Sequence, residues 1–168
     1  MKETLVAMLV VAGVTYSQSI AVVDSDRIFE NFSEVADATE LLEKEMEEWE
    51  AHADSLQEEI DAIRSDLEYT MVMSPEHRRE REALLREKTA ELQEFLAATF
   101  GPGGLVERRN TELVAPIVSR INEVVREISV EEDFDLVLDS SGGLVVYASG
   151  AIDITDMVLE RLATGGEY

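Results

Sequence analysis

Nine positions spaced alternately four and three residues apart run through the middle of the chain: Leu42, Met46, Trp49, Ala53, Leu56, Ile60, Ile63, Leu67 and Thr70. This is an a/d heptad seam about four heptads long, set among Glu and Asp residues. Such a stretch is a long helix that shows water most of its surface and a partner only a narrow stripe. It stops at Met71-Val72-Met73-Ser74-Pro75, and a second helical stretch runs back from there. β-rich segments precede and follow the pair. A long arm inserted into a small β-containing body has a shape suited to holding something.

In a chain of 168 residues, nearly half go into that thin hairpin, so the compact core is small and a lone subunit is expected to be marginal. The formal charge of −23 excludes a basic surface able to replace phosphate counterions, so neither nucleic acid nor an anionic membrane is expected as a partner. Only Lys2, Lys44 and Lys88 are lysines. Few lysines and many carboxylates suit a high-salt environment; an ordinary acidic protein is the alternative. With no Cys, disulfides, thiolate metal sites and a Cys nucleophile are excluded.

Residues 5–14, LVAMLVVAGV, form an uncharged apolar run about as long as a signal-peptide core and too short to span a bilayer. Thr15, Ser17 and Ser19 follow, so a cut after Ser17 or after Ser19 satisfies the small-x-small rule. Residues 1–18 are therefore read as a signal peptide, and the protein as exported. The alternative is a buried strand or helix of the mature fold.

Ile20-Ala21-Val22-Val23 reads as a buried strand, and Asp24 or Ser25 caps a short helix carrying Ile28, Phe29 and Phe32 on one face. The long arm is expected to begin near Asp37, with Glu40 as a capping-box partner. From Leu41 to Tyr69 it would measure ~43 Å. Ser74-Pro75-Glu76 supplies an N-cap, a proline at the first helical position and an acidic first turn. In the returning arm Leu85, Leu92, Phe95 and Thr99 keep heptad spacing, with Leu84 and Leu96 beside them. Between Glu34 and Glu68 fourteen acidic residues stand against Lys44 and Arg64; between Glu76 and Glu94 six acids face Arg78, Arg79, Arg81, Arg86 and Lys88. That asymmetry favours antiparallel pairing of the two arms.

Gly101-Pro102-Gly103-Gly104 breaks the returning helix. Gly101, Gly103 and Gly104 are read as a hinge, a local bulge being the alternative. Leu113, Ile117, Ile121, Val124, Val125 and Ile128 form a further helical stripe, which Pro116 must start or kink. Phe134–Leu138 and Leu144–Tyr147 read as strands joined by a Ser140-Ser141-Gly142-Gly143 hairpin turn. Asp153-Ile154-Thr155 opens a last helix through Met157, Val158 and Leu162.

Taken in order, these features resemble the Skp (OmpH) family of periplasmic chaperones. The resemblance spans Ser19 to Leu162. Its more diagnostic pieces are the Phe134-Asp135-Leu136-Val137-Leu138-Asp139 strand and the Asp153-Ile154-Thr155-Asp156-Met157-Val158-Leu159 helix start. The fold expected is α+β: a small β-containing trimerisation body (19–33 plus 105–168) with a coiled-coil hairpin inserted in it (34–104, tip near 70–75). The resemblance implies a homotrimer whose hairpins surround a cavity, where unfolded outer-membrane proteins are held without ATP. Ile20, Val22, Leu136, Leu138 and Val146 are expected in the shared core, because the compact part is too small to bury these strands alone. An exported adaptor with one folded partner is the alternative. The strong acidity departs from the basic members of the family, so affinity for anionic lipid does not carry over.

No catalytic constellation stands out. His52 and His77 lack metal-ligand partners at helical spacing, Asp24-x-Asp26 fails as an EF-hand, and Gly101-x-Gly103-Gly104 lacks the spacing and the lysine of a phosphate loop. No enzyme, cofactor or metal is expected. Trp49 reads as seam packing. Tyr69, Met71, Val72 and Met73 sit at the tip, where they either close the coiled coil or offer adaptable apolar surface to unfolded clients.

Overall fold

The computed structural model describes residues 18–70, 73–143, 145–148 and 151–165. The chain runs β1 (Ile20–Val23), α1 (Ser25–Asn31), α2 (Ser33–Tyr69), α3 (Pro75–Phe100), α4 (Leu105–Glu131), β2 (Leu136–Asp139), a 3-10 turn (Ser141–Gly143), β3 (Ile152–Asp153) and α5 (Thr155–Ala163). It is an α+β fold: a small sheet and its helices form a body, and α2 with α3 form a long hairpin.

The hairpin follows from the heptads. Leu42, Met46, Trp49, Ala53, Leu56, Ile60, Ile63 and Leu67 are all buried or half-buried, and only Thr70, which caps α2, is exposed. Trp49 is thus a half-buried seam residue. At 37 residues α2 is ~55 Å long; it starts at Ser33, four residues before the expected Asp37 and eight before Leu41, from which the ~43 Å is counted. Phe32 alone separates it from α1. Its backbone is extended, it has no side-chain cap bond, and its ring is buried in the body. Burial of that ring, not a polar cap, sets where the arm leaves the body. The tip follows the expected chemistry, with the Ser74 hydroxyl accepting from the His77 N–H and Pro75 opening α3.

The body packs Ala21 and Val23 of β1 against Ile28 and Phe32, against Ile117, Ile121, Val124 and Ile128 of α4, and against Ile154, Val158 and Leu162. Pro116 lies inside α4, exposed, and the helix runs through it. Asp24 caps α1 by accepting from the Arg27 N–H, and Thr155 donates its N–H and hydroxyl to Asp153 at the start of α5.

The sheet differs from the expected hairpin. Its order is β2-β1-β3 and both pairings are parallel: Ile20 lies beside Leu136, Val22 beside Leu138, and Ala21 beside Ile152. Residues 145–148 form no strand, and Leu144 lies outside the described residues. Both edges of β1 are taken, so a β-branched stretch after β2 finds no free edge there, whatever its propensity. Ser140-Ser141-Gly142-Gly143 instead folds back on β1 and α1. The Ser140 N–H donates to the Val23 carbonyl, and Asp139 accepts from the N–H and hydroxyl of Ser25 and from the Ser141 N–H. Burial alone would raise the Asp139 pKa, but these bonds outweigh it and hold the carboxyl below its ordinary value.

Candidate binding surfaces

Strand alternation gives the sheet two unlike faces. Ala21 and Val23 point into the core; Ile20 and Val22 alternate with them and remain half-exposed. On β2, Leu136 and Leu138 are exposed, whereas Val137 between them packs against the core. Gln18, Ile20, Val22, Leu138, Val145, Tyr147, Ala148 and Ala151 line an open cavity of about 320 Å³ on this outer face. Tyr147 in this lining is 83% exposed, and Val146 beside it 94%. The five residues expected in a shared core therefore all lie at least partly exposed in the single chain: Ile20, Val22, Leu136 and Leu138 on one sheet face, and Val146 on the segment next to it.

The arm is held by its seam and by ion pairs between its limbs. Lys88 reaches Glu59 at 2.9 Å, and Arg81 pairs with Asp66 nearer the tip. His52 meets Phe95 edge-on at 4.7 Å. Glu59 and Glu91 together raise the Lys88 pKa. At the base, Arg109 of α4 grips both carboxylate oxygens of Glu45, at 2.7 and 2.8 Å, and this holds Glu45 below the ordinary glutamate range.

Those partners reveal a jog in the return limb. Between Asp66–Arg81 and His52–Phe95, facing residues advance one for one, fourteen on each side (66 to 52, 81 to 95). From Phe95 to Arg109 the return limb spends fourteen residues (95 to 109) while α2 retreats only seven (52 to 45). The surplus seven are absorbed around Gly101–Gly104. Gly101 caps α3, Gly104 donates its N–H to the Gly101 carbonyl at 2.8 Å, and Gly103 takes φ +69° while its N–H donates to the Glu107 carboxylate. A Cβ on Gly104 would lie 2.7 Å from the backbone oxygens of both Gly101 and Thr99. Beyond the jog, α4 lies along the base of α2. Val35, Ala38, Leu42, Leu113 and Ile117 border a largely apolar cavity of about 130 Å³ there.

At the tip Tyr69 is 79% exposed and Met73 half-buried, while Met71 and Val72 lie outside the described residues. The heptad pattern did not flag a second exposed apolar set on the arm. Leu96 and Phe100, one helical turn apart on α3, and Leu41 on α2 each stay about two-fifths exposed. The signal was available, because Leu96 and Phe100 fall outside the heptad positions of Leu92, Phe95 and Thr99. Among the described residues, no group of His, Asp or Glu is placed to hold a metal ion, and no helix is long and apolar enough to cross a membrane.

Residues 19–162 match the family described as Outer membrane protein (OmpH-like). The chain belongs to the OmpH-like family. Chaperone protein Skp of Pectobacterium atrosepticum is 26% identical over 154 residues, covering 90% of this chain and 89% of that protein. An uncharacterized protein of Aquifex aeolicus (strain VF5) is 23% identical over 167 residues, covering 96% of each. The crystal structure of a Caulobacter crescentus CB15 protein described as an OmpH-like outer membrane chaperone superposes with a TM-score of 0.76 at 16% identity, covering 98% of this chain and 90% of that one. This OmpH-like chain therefore shares the body-and-hairpin fold with a protein to which its sequence has largely lost resemblance.

Proposed function

We propose that this OmpH-like protein is a periplasmic holdase that binds unfolded outer-membrane proteins without ATP and keeps them from aggregating. Family membership supports the chaperone role. The observation that carries the mechanism is a pair of unsatisfied apolar surfaces on one acidic frame: the outer sheet face of the body, and the exposed residues along the arm and tip. The first is suited to self-association. Ile20, Val22, Leu136 and Leu138, with Val146 beside them, form the core of a homotrimer, since a body this small gains stability by sharing a core. The second is suited to cargo. Tyr69, Met71, Val72 and Met73 at the tip, with Leu96 and Phe100 along the return limb, give apolar contact spread over a wide cavity. The Gly101, Gly103 and Gly104 jog serves as the hinge at which the distal arm adjusts to clients of different size.

Residues 1–18 act as the export signal in this reading. The test is mass measurement of the native complex with and without an unfolded outer-membrane protein, alongside suppression of that protein's aggregation. A trimer that gains one client and prevents aggregation without nucleotide is expected. A protein that ignores several unfolded barrels and binds one folded partner is an adaptor instead.

A further inference from the structure

We propose that the Glu45–Arg109 pair is a latch on the arm: closed, it makes the arm pivot at the glycine jog; open, it lets the pivot drop to Phe32. The proposal rests on the hinge reading above and supplies its control. Among the described residues this pair is the one hydrogen-bonded or ionic tie between α2 and α4. Arg109 gives Nε and Nη2 to the two Glu45 oxygens, at 2.7 and 2.8 Å. Its remaining Nη1 donates at 3.3 Å to Glu112, one turn along its own helix. That bond aims the planar guanidinium at α2 before the pair forms. The Arg109 and Glu45 side chains are 31% and 24% exposed, so water reaches the pair and it can open without unfolding the body.

What lies on either side decides what opening releases. Above the jog the limbs are sealed by buried Leu56, Ile60, Ile63 and Thr99, so the distal arm moves as one piece. Below the latch α2 runs from Ser33 to Glu45 without burying one residue fully. Val35, Ala38 and Leu42 there are half-buried and border the cavity of about 130 Å³ against Leu113 and Ile117. The root of α2 is thus incompletely packed on α4, with room to rock once the pair lets go. Phe32 is the next fixed point. Its ring is buried and its backbone is extended, outside both helices. Ser65 stands twenty residues beyond Glu45 (45 to 65) and thirty-three beyond Phe32 (32 to 65). In one helix of constant rise, the same angular swing then carries Ser65 about 1.6 times as far.

The chain has no Cys, so spin labels go only where they are introduced. Ser65→Cys is combined with Ser119→Cys on α4 and, in a second sample, with Glu160→Cys on α5, all exposed positions. Two references on the body register a swing in different directions. Labelled chain is mixed with an excess of unlabelled chain, and distances within one chain are measured by pulsed electron spin resonance without client. Arg109→Ala and Glu45→Ala should each widen the distance distribution about 1.6-fold, with helix content and native mass unchanged. The double variant should be no wider than either single one, because both remove the same tie. Arg108→Ala removes an equal charge from the exposed neighbouring position and should leave the width as it was. Unchanged widths in both latch variants, or equal widening in Arg108→Ala, overturn the proposal. Should Arg109→Ala fail to fold, Glu45→Ala decides alone. No client enters the measurement, so its failure is distinct from failure of the holdase reading in the aggregation assay.

Discussion

Leu138→Asp and Val137→Asp place the same charge on neighbouring residues of β2, and the alternation of the strand makes their consequences differ. Leu138 is on the outer face, 39% exposed in the single chain. There the carboxylate reaches water, so the monomer should keep its helix content. In the proposed trimer the same position would close against another subunit. The lost burial is about half of a full leucine contribution, ~1 kcal/mol, and an unpaired charge in an interface costs about 3 kcal/mol more. The substitution occurs three times per trimer, so assembly should weaken by about 10 kcal/mol. That corresponds to roughly seven powers of ten in the association constant, enough to leave monomer at micromolar protein. Val137 faces inward against the body core, so its substitution should unfold the body. Light scattering together with far-ultraviolet circular dichroism separates the two outcomes. A Leu138→Asp protein that remains trimeric at micromolar concentration would refute the assignment of this face to the shared core. A Val137→Asp protein that folds normally would refute the account of strand alternation.

Changing Tyr69, Met71, Val72 and Met73 together to Ser should weaken aggregation suppression and leave the trimer intact; ~100 Å² of apolar area lost per tip is worth about 2.5 kcal/mol. Raising salt should preserve or strengthen the hold on acidic clients, because screening removes repulsion and leaves apolar contact untouched; release of such clients by salt would contradict apolar binding. Arg109→Ala should lower the melting temperature at neutral pH. Glu45 has its pKa lowered in the folded state, so its contribution is present above the ordinary glutamate pKa and is lost as pH falls through that value and below; the gap between variant and wild type should therefore close in acid. Lys88 behaves oppositely. Its raised folded pKa gives a contribution present below the ordinary lysine pKa and lost as pH rises past it, which Lys88→Met should abolish in an alkaline melting series. Gly103→Ala meets open space but must hold a left-handed backbone, at about 1 kcal/mol. Gly104→Ala drives its Cβ into three backbone oxygens, those of Gly101, Thr99 and Ala98, and should lower the melting temperature further, with spin-label distances across the jog reporting the change.

The parts of this fold that were legible in the sequence are those written locally and periodically. The α2 seam from Leu42 to Leu67, the Ser74-Pro75 start of α3, the Asp24 cap and the last helix all express rules that act within one or two turns. What escaped depends on partners distant in sequence. The arm begins at Ser33 because Phe32 is buried among α4 and α5 residues, and no window around Asp37 records that. β3 is two residues long and exists only because β1 has a free edge beside Ile152 and Asp153, so β-branched Val145-Val146-Tyr147 looked the better strand. Ile20, Val22, Leu136 and Leu138 were legible as apolar strand positions whereas Val146 lies in no strand, and only the pairing register shows that Ile20 stands beside Leu136 and Val22 beside Leu138. The jog was visible as a glycine cluster, while its seven-residue surplus appears only once Glu45 is seen opposite Arg109.

The charge of the arm is divided by role. Of the acids on α2, Glu45, Glu59, Asp61 and Asp66 meet cations. Glu34, Asp37, Glu40, Glu43, Glu47, Glu48, Glu50 and Asp54 remain exposed along its basal half. Glu59 and Asp66 bind the two limbs together, Glu45 ties α2 to α4 and Asp61 pairs within α2, while the exposed acids give α2 a negative surface beside a narrow apolar stripe. In a trimer three such helices hang from one body, and exposed like charges on neighbouring arms repel over roughly a Debye length of 8 Å at physiological salt. Arms carrying Leu41, Leu96, Phe100 and an apolar tip would otherwise be drawn onto one another by those residues. In the proposed trimer, repulsion would keep these surfaces apart and available, and an unfolded chain would supply the apolar partner that a neighbouring arm cannot. The acidity that excludes phosphate-rich partners would then have a positive use: holding open a cavity whose lining would close on itself if it were neutral.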